Sequence, residues 1–316
     1  MGGKKEHTLR TIARRIIIIA LFFGILAYTL FGSCRVHKAR GVEDFPRKDV
    51  IAEIKKFEKR MGYRKDENFH PESFLQDAYY ICYSTGRFFL PYTYFGMSVT
   101  QGKKGGCNIN PLGKDVFVSK VEGIGRNNAS TTRFLTDASL ERFITVIVHE
   151  DYHEEVSPEV QLSSDIDEAA ATMMGLAGAI DFAREKYGED SEIYKNLFLE
   201  PAFFMQKAVI VNKYYVQLKS LYADFYRFQI SEADTLNRKR ELFNELQREC
   251  GTITPQPKTF NACPAVLNNA GLALDITYTR HFPRMYEAWI HYDKDSKKLF
   301  DAFQKHLPRL GELMND

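Results

Sequence analysis

Residues 140–155 read Leu-Glu-Arg-Phe-Ile-Thr-Val-Ile-Val-His-Glu-Asp-Tyr-His-Glu-Glu, and the rest of the chain is best understood outward from this stretch. Leu140, Phe143, Ile144 and Ile147 fall at i, i+3, i+4 and i+7, the spacing of one face of a helix. His149 and His153 are four positions apart, so on that helix they share a face, one turn above the other. Two imidazoles so placed can hold one zinc ion, and Glu150 lies beside the metal, where it can take a proton from a water. The competing reading is a pair of helix-face histidines among solvated acids, because His-Glu-x-x-His also arises by chance.

A second helix is expected from near Asp165 to about Tyr187, with Gly188 as its stop. It opens Asp165-Ile-Asp-Glu-Ala-Ala-Ala171, and fourteen residues separate its Glu168 from His153. A carboxylate on the next helix would complete a two-histidine, one-glutamate site with one coordination position open. Ala169 to Ala171 would let the two helices approach closely. Asp165 and Asp167 are alternative ligands, and Asp165 with Glu168 also has the spacing of a capping box, which needs no metal. Asp137 is the expected N-cap of the motif helix, with Glu141 in its first turn.

Towards the N-terminus, Lys4, Lys5, Arg10, Arg14 and Arg15 precede an uncharged run, Ile16 to Gly32. This is a targeting segment, to be kept out of the fold. It fits either a single spanning helix or a secretory signal, and Phe31-Gly-Ser-Cys34 resembles a bacterial lipoprotein processing site at which Cys34 is lipidated. Either way the chain is anchored at the membrane, with its domain outside the cytoplasm in the cell envelope. Five cysteines leave four besides Cys34, and neighbours in sequence would pair as Cys82 with Cys107 and Cys250 with Cys263; buried thiols are the alternative.

The 316 residues carry a net charge of +2 with no long basic block, so nucleic acid is not implied as a partner. Lys48 to Met61 reads as an amphipathic helix stopped by Gly62, and a further helix is expected from Pro71 to Tyr83. Between Gly86 and Arg126, glycine, proline and asparagine punctuate short β-favouring runs such as Asp115 to Ser119, the one region where a small sheet is expected. Its glycine clusters, Gly102 to Gly106 and Gly123-Ile-Gly125, read as turns. Beyond residue 190 the pattern is almost wholly helical: Ala202 to Phe228, Ser231 to Arg248, about Cys263 to His281, and two helices after Pro283. The expected organisation is a signal or anchor segment over 1–34, a helical and small-sheet region over 35–130, and a mainly helical domain over 131–316.

Four places resemble a family of bacterial envelope proteins described as gluzincin-type zinc aminopeptidases. They are His149-Glu-Asp-Tyr-His153; Asp167-Glu-Ala-Ala-Ala171; Leu218-Lys-Ser-Leu-Tyr222 with Arg238, Lys239, Phe243 and Leu246; and Asn268-Asn-Ala-Gly-Leu272 followed by Tyr278 and Pro283. The resemblance covers about residues 140 to 310. It implies a mainly α, zincin-like α+β fold, a Zn2+ cofactor and a peptide or protein substrate. On that reading His149, His153 and Glu168 hold the metal and Glu150 is the general base. Tyr278, which follows the asparagine segment, is a candidate transition-state donor or a core residue. Asn268 and Asn269 orient substrate or cap and brace helices. Glu154, Glu155 and Asp165 are available to hold a substrate amine. The family usually has Leu-Ala within the histidine pair, where this chain has Asp151-Tyr152. The rival reading is a non-catalytic helical envelope protein that binds peptides or protein partners and keeps a vestigial metal motif.

Overall fold

The computed structural model describes residues 47–64, 68–69, 77–124, 131–156, 162–256, 263–264, 266–307, 309 and 313. The basic leader, the apolar run and Cys34 lie outside the described residues. Among the described residues no helix is long and apolar enough to cross a membrane.

The motif helix, α3 (Leu140–Val156), follows α1 (Lys48–Met61) and a single turn, α2 (Arg133–Thr136). Ser139, rather than Asp137, starts α3: its Oγ accepts from the Arg142 N–H and its carbonyl from that of Phe143. Asp137 instead ends α2, one turn earlier. Phe143, Ile144, Ile147 and Val148 are wholly buried, each contributing about 1.5–3 kcal/mol relative to exposure. Next comes α4 (Ser164–Tyr187), buried on nearly every side from Glu168 to Ala183, the signature of a central helix. It lies close against α3 because two of its residues have no side chain. A Cβ on Gly175 would stand 2.8 Å from the Thr145 carbonyl, and one on Gly178 would stand 2.8 Å from a Val148 methyl. The close approach is thus made by these two glycines as well as by the alanines at the helix start.

The remaining helices are α5 (Glu192–Tyr226), α6 (Glu232–Cys250), α7 (Asn269–Thr279), α8 (Phe282–His291) and α9 (Ser296–His306). The long α5 runs through two apolar cores. Leu197, Phe204 and Ala208 join α1, α3, α4, α8 and α9; Val211, Tyr214, Leu218 and Tyr222 join α6, α7 and the sheet. Helix α7 is shorter than its sequence pattern, because Asn268 caps it by accepting from the Gly271 N–H.

The small sheet is antiparallel, in the order β2-β1-β3, with β1 at Tyr79–Gly86, β2 at Ser98–Gln101 and β3 at Lys114–Val121. Residues 79 to 83, expected as helix, are therefore strand; residues 71–76 of that expectation lie outside the described residues. Tyr79-Tyr-Ile-Cys-Tyr83 is aromatic and β-branched, a composition that packs well on a pleated surface. Both disulfides form: Cys82 with Cys107, from β1 to the loop beyond β2, and Cys250 with Cys263, from the end of α6 to the segment leading into α7.

Candidate metal centre

Helix periodicity brings His149 and His153 to one face of α3, and the close packing of α4 brings Glu168 against them. The three donor atoms form a small triangle. His153 Nε2 lies 3.2 Å from His149 Nε2 and 3.2 Å from Glu168 Oε2, and the third edge, His149 Nε2 to Glu168 Oε2, is 3.4 Å. Donors at tetrahedral angles around an ion bonded at about 2.0–2.1 Å lie about 3.3–3.4 Å apart. Two nitrogen lone pairs and a carboxylate oxygen, drawn together in a largely buried space, are a donor set that fits zinc. The same three residues are a group that could hold a metal among the described residues.

Two of the three donors are each oriented by a partner behind them. His153 Nδ1 lies 3.1 Å from Asp167 Oδ2. An ionised carboxylate only accepts, so Nδ1 carries the proton and Nε2 presents its lone pair to the centre. Asp167, open in the sequence as a metal ligand, instead meets the His153 imidazole on the side away from the triangle. Tyr94, on a 3-10 turn between β1 and β2, donates to Glu168 Oε1 at 3.0 Å. That leaves Oε2 for the triangle. Burial opposes the charge on Glu168, but the His153 charge and hydrogen bonds from both imidazoles hold it far below the usual carboxylate range. Burial likewise opposes the charge on His153, yet Glu168 and Asp167 raise it well above its ordinary value.

The other predicted residues fall around this triangle. Glu150 is half-buried; a Cβ on Gly123 would lie 3.4 Å from its Cγ, so the segment leaving β3 passes directly over it. The glycine read from the sequence as part of a turn is the residue that makes room for Glu150. Tyr278 of α7 faces His149, with ring centroids 6.4 Å apart. Burial, with the charges of Glu168 and Glu150 among its neighbours, pushes its hydroxyl well above the ordinary tyrosine value. Asn268 and Asn269 hold α7 to the sheet. Asn268 donates to the Val116 carbonyl, and Asn269 donates to those of Gly86, Arg87 and Phe89 while accepting from Tyr222. Of the acids available for a substrate amine, Glu155 pairs with Arg64, and Asp165 with His281 and Arg280. Glu154 is buried near Asp151.

A family model described as "Putative aminopeptidase" matches residues 115–315, which takes in every member of this centre except Tyr94. The chain belongs to that family. Membership points to peptidase chemistry, and the buried His-His-Glu group is where a metal for it could bind. No curated protein and no solved structure matches the chain.

Proposed function

We propose that this aminopeptidase family member is a zinc-dependent peptidase, anchored at the membrane by its N-terminal segment with its domain outside the cytoplasm. The observation that carries the reading is the donor triangle of His149, His153 and Glu168, with edges of 3.2 to 3.4 Å. When bound, zinc supplies Lewis acidity at the scissile carbonyl. Glu150 takes a proton from the attacking water and delivers it to the leaving amine. Tyr278, kept protonated by burial, donates a hydrogen bond to the charge that develops on the carbonyl oxygen. Asp167 fixes the tautomer and plane of His153, and Tyr94 holds the far oxygen of Glu168. The two disulfides support an exported domain, since such bonds persist in oxidising compartments, and the basic-then-apolar leader supports the anchor.

Metal analysis beside peptide hydrolysis tests this reading. Stoichiometric zinc is expected in the purified protein. Glu150→Gln should keep that zinc and lose peptide hydrolysis by about 10²- to 10⁴-fold, the range for removing a general base. A purified protein without stoichiometric metal, or a Glu150→Gln variant cleaving at the wild-type rate, overturns it. Zinc retained with no turnover in the wild type favours a peptide-binding protein instead.

A further inference from the structure

One face of the small sheet is continuous with the metal centre. Tyr79, Ile81 and Tyr83 alternate onto it from β1. Pairing places Val121, Ser119 and Phe117 of β3, and Gln101 and Val99 of β2, on the same face. Two contacts tie this face to the catalytic residues from opposite ends. At one, Tyr83 stacks on Phe117 and meets Tyr94 edge-on at 6.2 Å, and Tyr94 bonds Glu168. At the other, β3 runs out through Gly123, under which Glu150 lies, and on into Ile124. Ile81, on the middle rung, packs in the same apolar cluster as Tyr278.

At this end of the sheet lies a cavity of about 420 Å³, lined by Tyr79, Ile81, Val99, Gln101 and Ile124 and, from the alternate positions, by Ala78, Tyr80, Thr100 and Gly102. Ile124 follows in the chain the glycine that covers Glu150, which ties the cavity's lining to that residue. None of its described lining residues is charged. The charges beside it, Asp77 bonded to the Tyr80 hydroxyl and Lys104, already pair with each other, so a lysine or glutamate side chain entering it would give up hydration for a charge that has a partner, whereas an apolar side chain would gain burial.

We propose that this cavity is a substrate subsite that takes a bulky apolar or aromatic side chain of the peptide, with Ile81 and Val99 setting the preference. The proposal rests on the peptidase reading. Its contribution is uniform binding of one side chain, so altering it moves KM and spares kcat.

The test uses the full chain loaded with zinc and a set of internally quenched peptides that differ at one position in carrying Leu, Phe, Ala, Lys or Glu, with the matching aminoacyl coumarin amides. The wild type is expected to favour Leu and Phe over Lys and Glu by about tenfold or more in kcat/KM. Val99→Asp lies on an exposed edge strand, where the fold tolerates a charge. It should bring Lys to parity with Leu through KM, at unchanged Tm. Ile81→Ala should move the optimum towards larger side chains. A second arm measures binding by fluorescence anisotropy, using Glu150→Gln protein and fluorescein-labelled Phe and Lys peptides. The Phe peptide should bind more tightly, and adding Val99→Asp should abolish the difference. An unchanged rank order in both variants, or equal binding of the two peptides to Glu150→Gln, overturns the subsite. Cleavage with an unchanged rank order leaves the peptidase reading intact. Selective binding that Val99→Asp removes, with no cleavage by any metal-loaded form, leaves the subsite standing and removes the peptidase.

Discussion

The two sides of α3 solve the same electrostatic problem in opposite ways. On one side Glu168 is met by two imidazoles and a tyrosine hydroxyl. On the other, Asp151 is 2 % exposed and lies 2.8 Å from Lys55 of α1, and Glu155 is held by Arg64. Both sides bury carboxylates against α3, Glu168 from α4 on one and Asp151 and Glu155 of α3 itself on the other. On the Asp151 side the protein brings its own lysine and arginine, which brace α3 against α1 and the residues just after it. On the His149 side it brings lone pairs that converge on a point, an arrangement that could take its cation from solution. The distinction between structural and functional buried charge lies here in who supplies the positive partner.

The largest effect that sharpens this contrast is on the metal side. Glu168→Ala removes one of three donors, so its zinc affinity should fall by more than the roughly 10- to 100-fold typical of losing an orienting partner. Competition against a chelating dye measures it, and an unchanged affinity would mean the ion sits elsewhere. On the brace side, Lys55→Met should cost about 3–5 kcal/mol of unfolding free energy, because it strands a buried carboxylate, while zinc affinity stays level. The double variant Lys55→Met with Asp151→Leu should recover most of that loss in a urea titration; no recovery would show that packing rather than charge is at stake. Asp167→Asn should weaken zinc by about 10- to 100-fold and leave the fold intact.

The smallest effects are in the pH profiles: both raised groups favour the metal-free fold on acidification, while zinc affinity runs the other way. Burial pushes Asp151 up to about 6 against the pull of Lys55. Its folded value lies above its unfolded one, so the cost of the buried charge is present at pH 7 and fades as pH falls through about 6. This group's contribution to stability therefore improves on mild acidification. Folded, metal-free His153 is raised well above its ordinary value, so zinc must displace its proton. Affinity should rise with pH until that proton is gone, and calorimetry in buffers of differing ionisation heat should record proton release on binding at pH 7. The same proton stabilises the metal-free fold below the unfolded value and ceases to do so as pH climbs through the folded one.

The sequence revealed the parts of this centre that local geometry determines. His149, Glu150 and His153 are legible from a four-residue spacing, and Glu168 from one loop and the start of the next helix. The parts made by distant packing were hidden. Tyr94 is 74 residues from Glu168 and belongs to no motif. Asp167 was visible as a carboxylate, but whether it meets the ion or the imidazole depends on how α4 is rotated. Asp151, which departs from the family pattern, meets a partner, Lys55, from a helix almost a hundred residues earlier in the chain. The strand at Tyr79 to Gly86 was misread as helix over its first half because its alternation is blurred by aromatics on both faces. Ser139 rather than Asp137 caps α3 because a separate single turn, α2, intervenes.

Gly175 has one more consequence. A side chain there would strike the Thr145 carbonyl at 2.8 Å and the His149 Cβ at 3.0 Å, wedging α4 away from α3 along the line that separates Glu168 from the histidines. Zinc bonds its donors at about 2.0–2.2 Å, which leaves little slack in a triangle of this size. Gly175→Ala should therefore widen the triangle and lower zinc affinity in a chelator competition, with none of the three donors changed. The hydrogen atom at position 175 acts as a calliper on the gap, set by the contact of two helices and not by any donor.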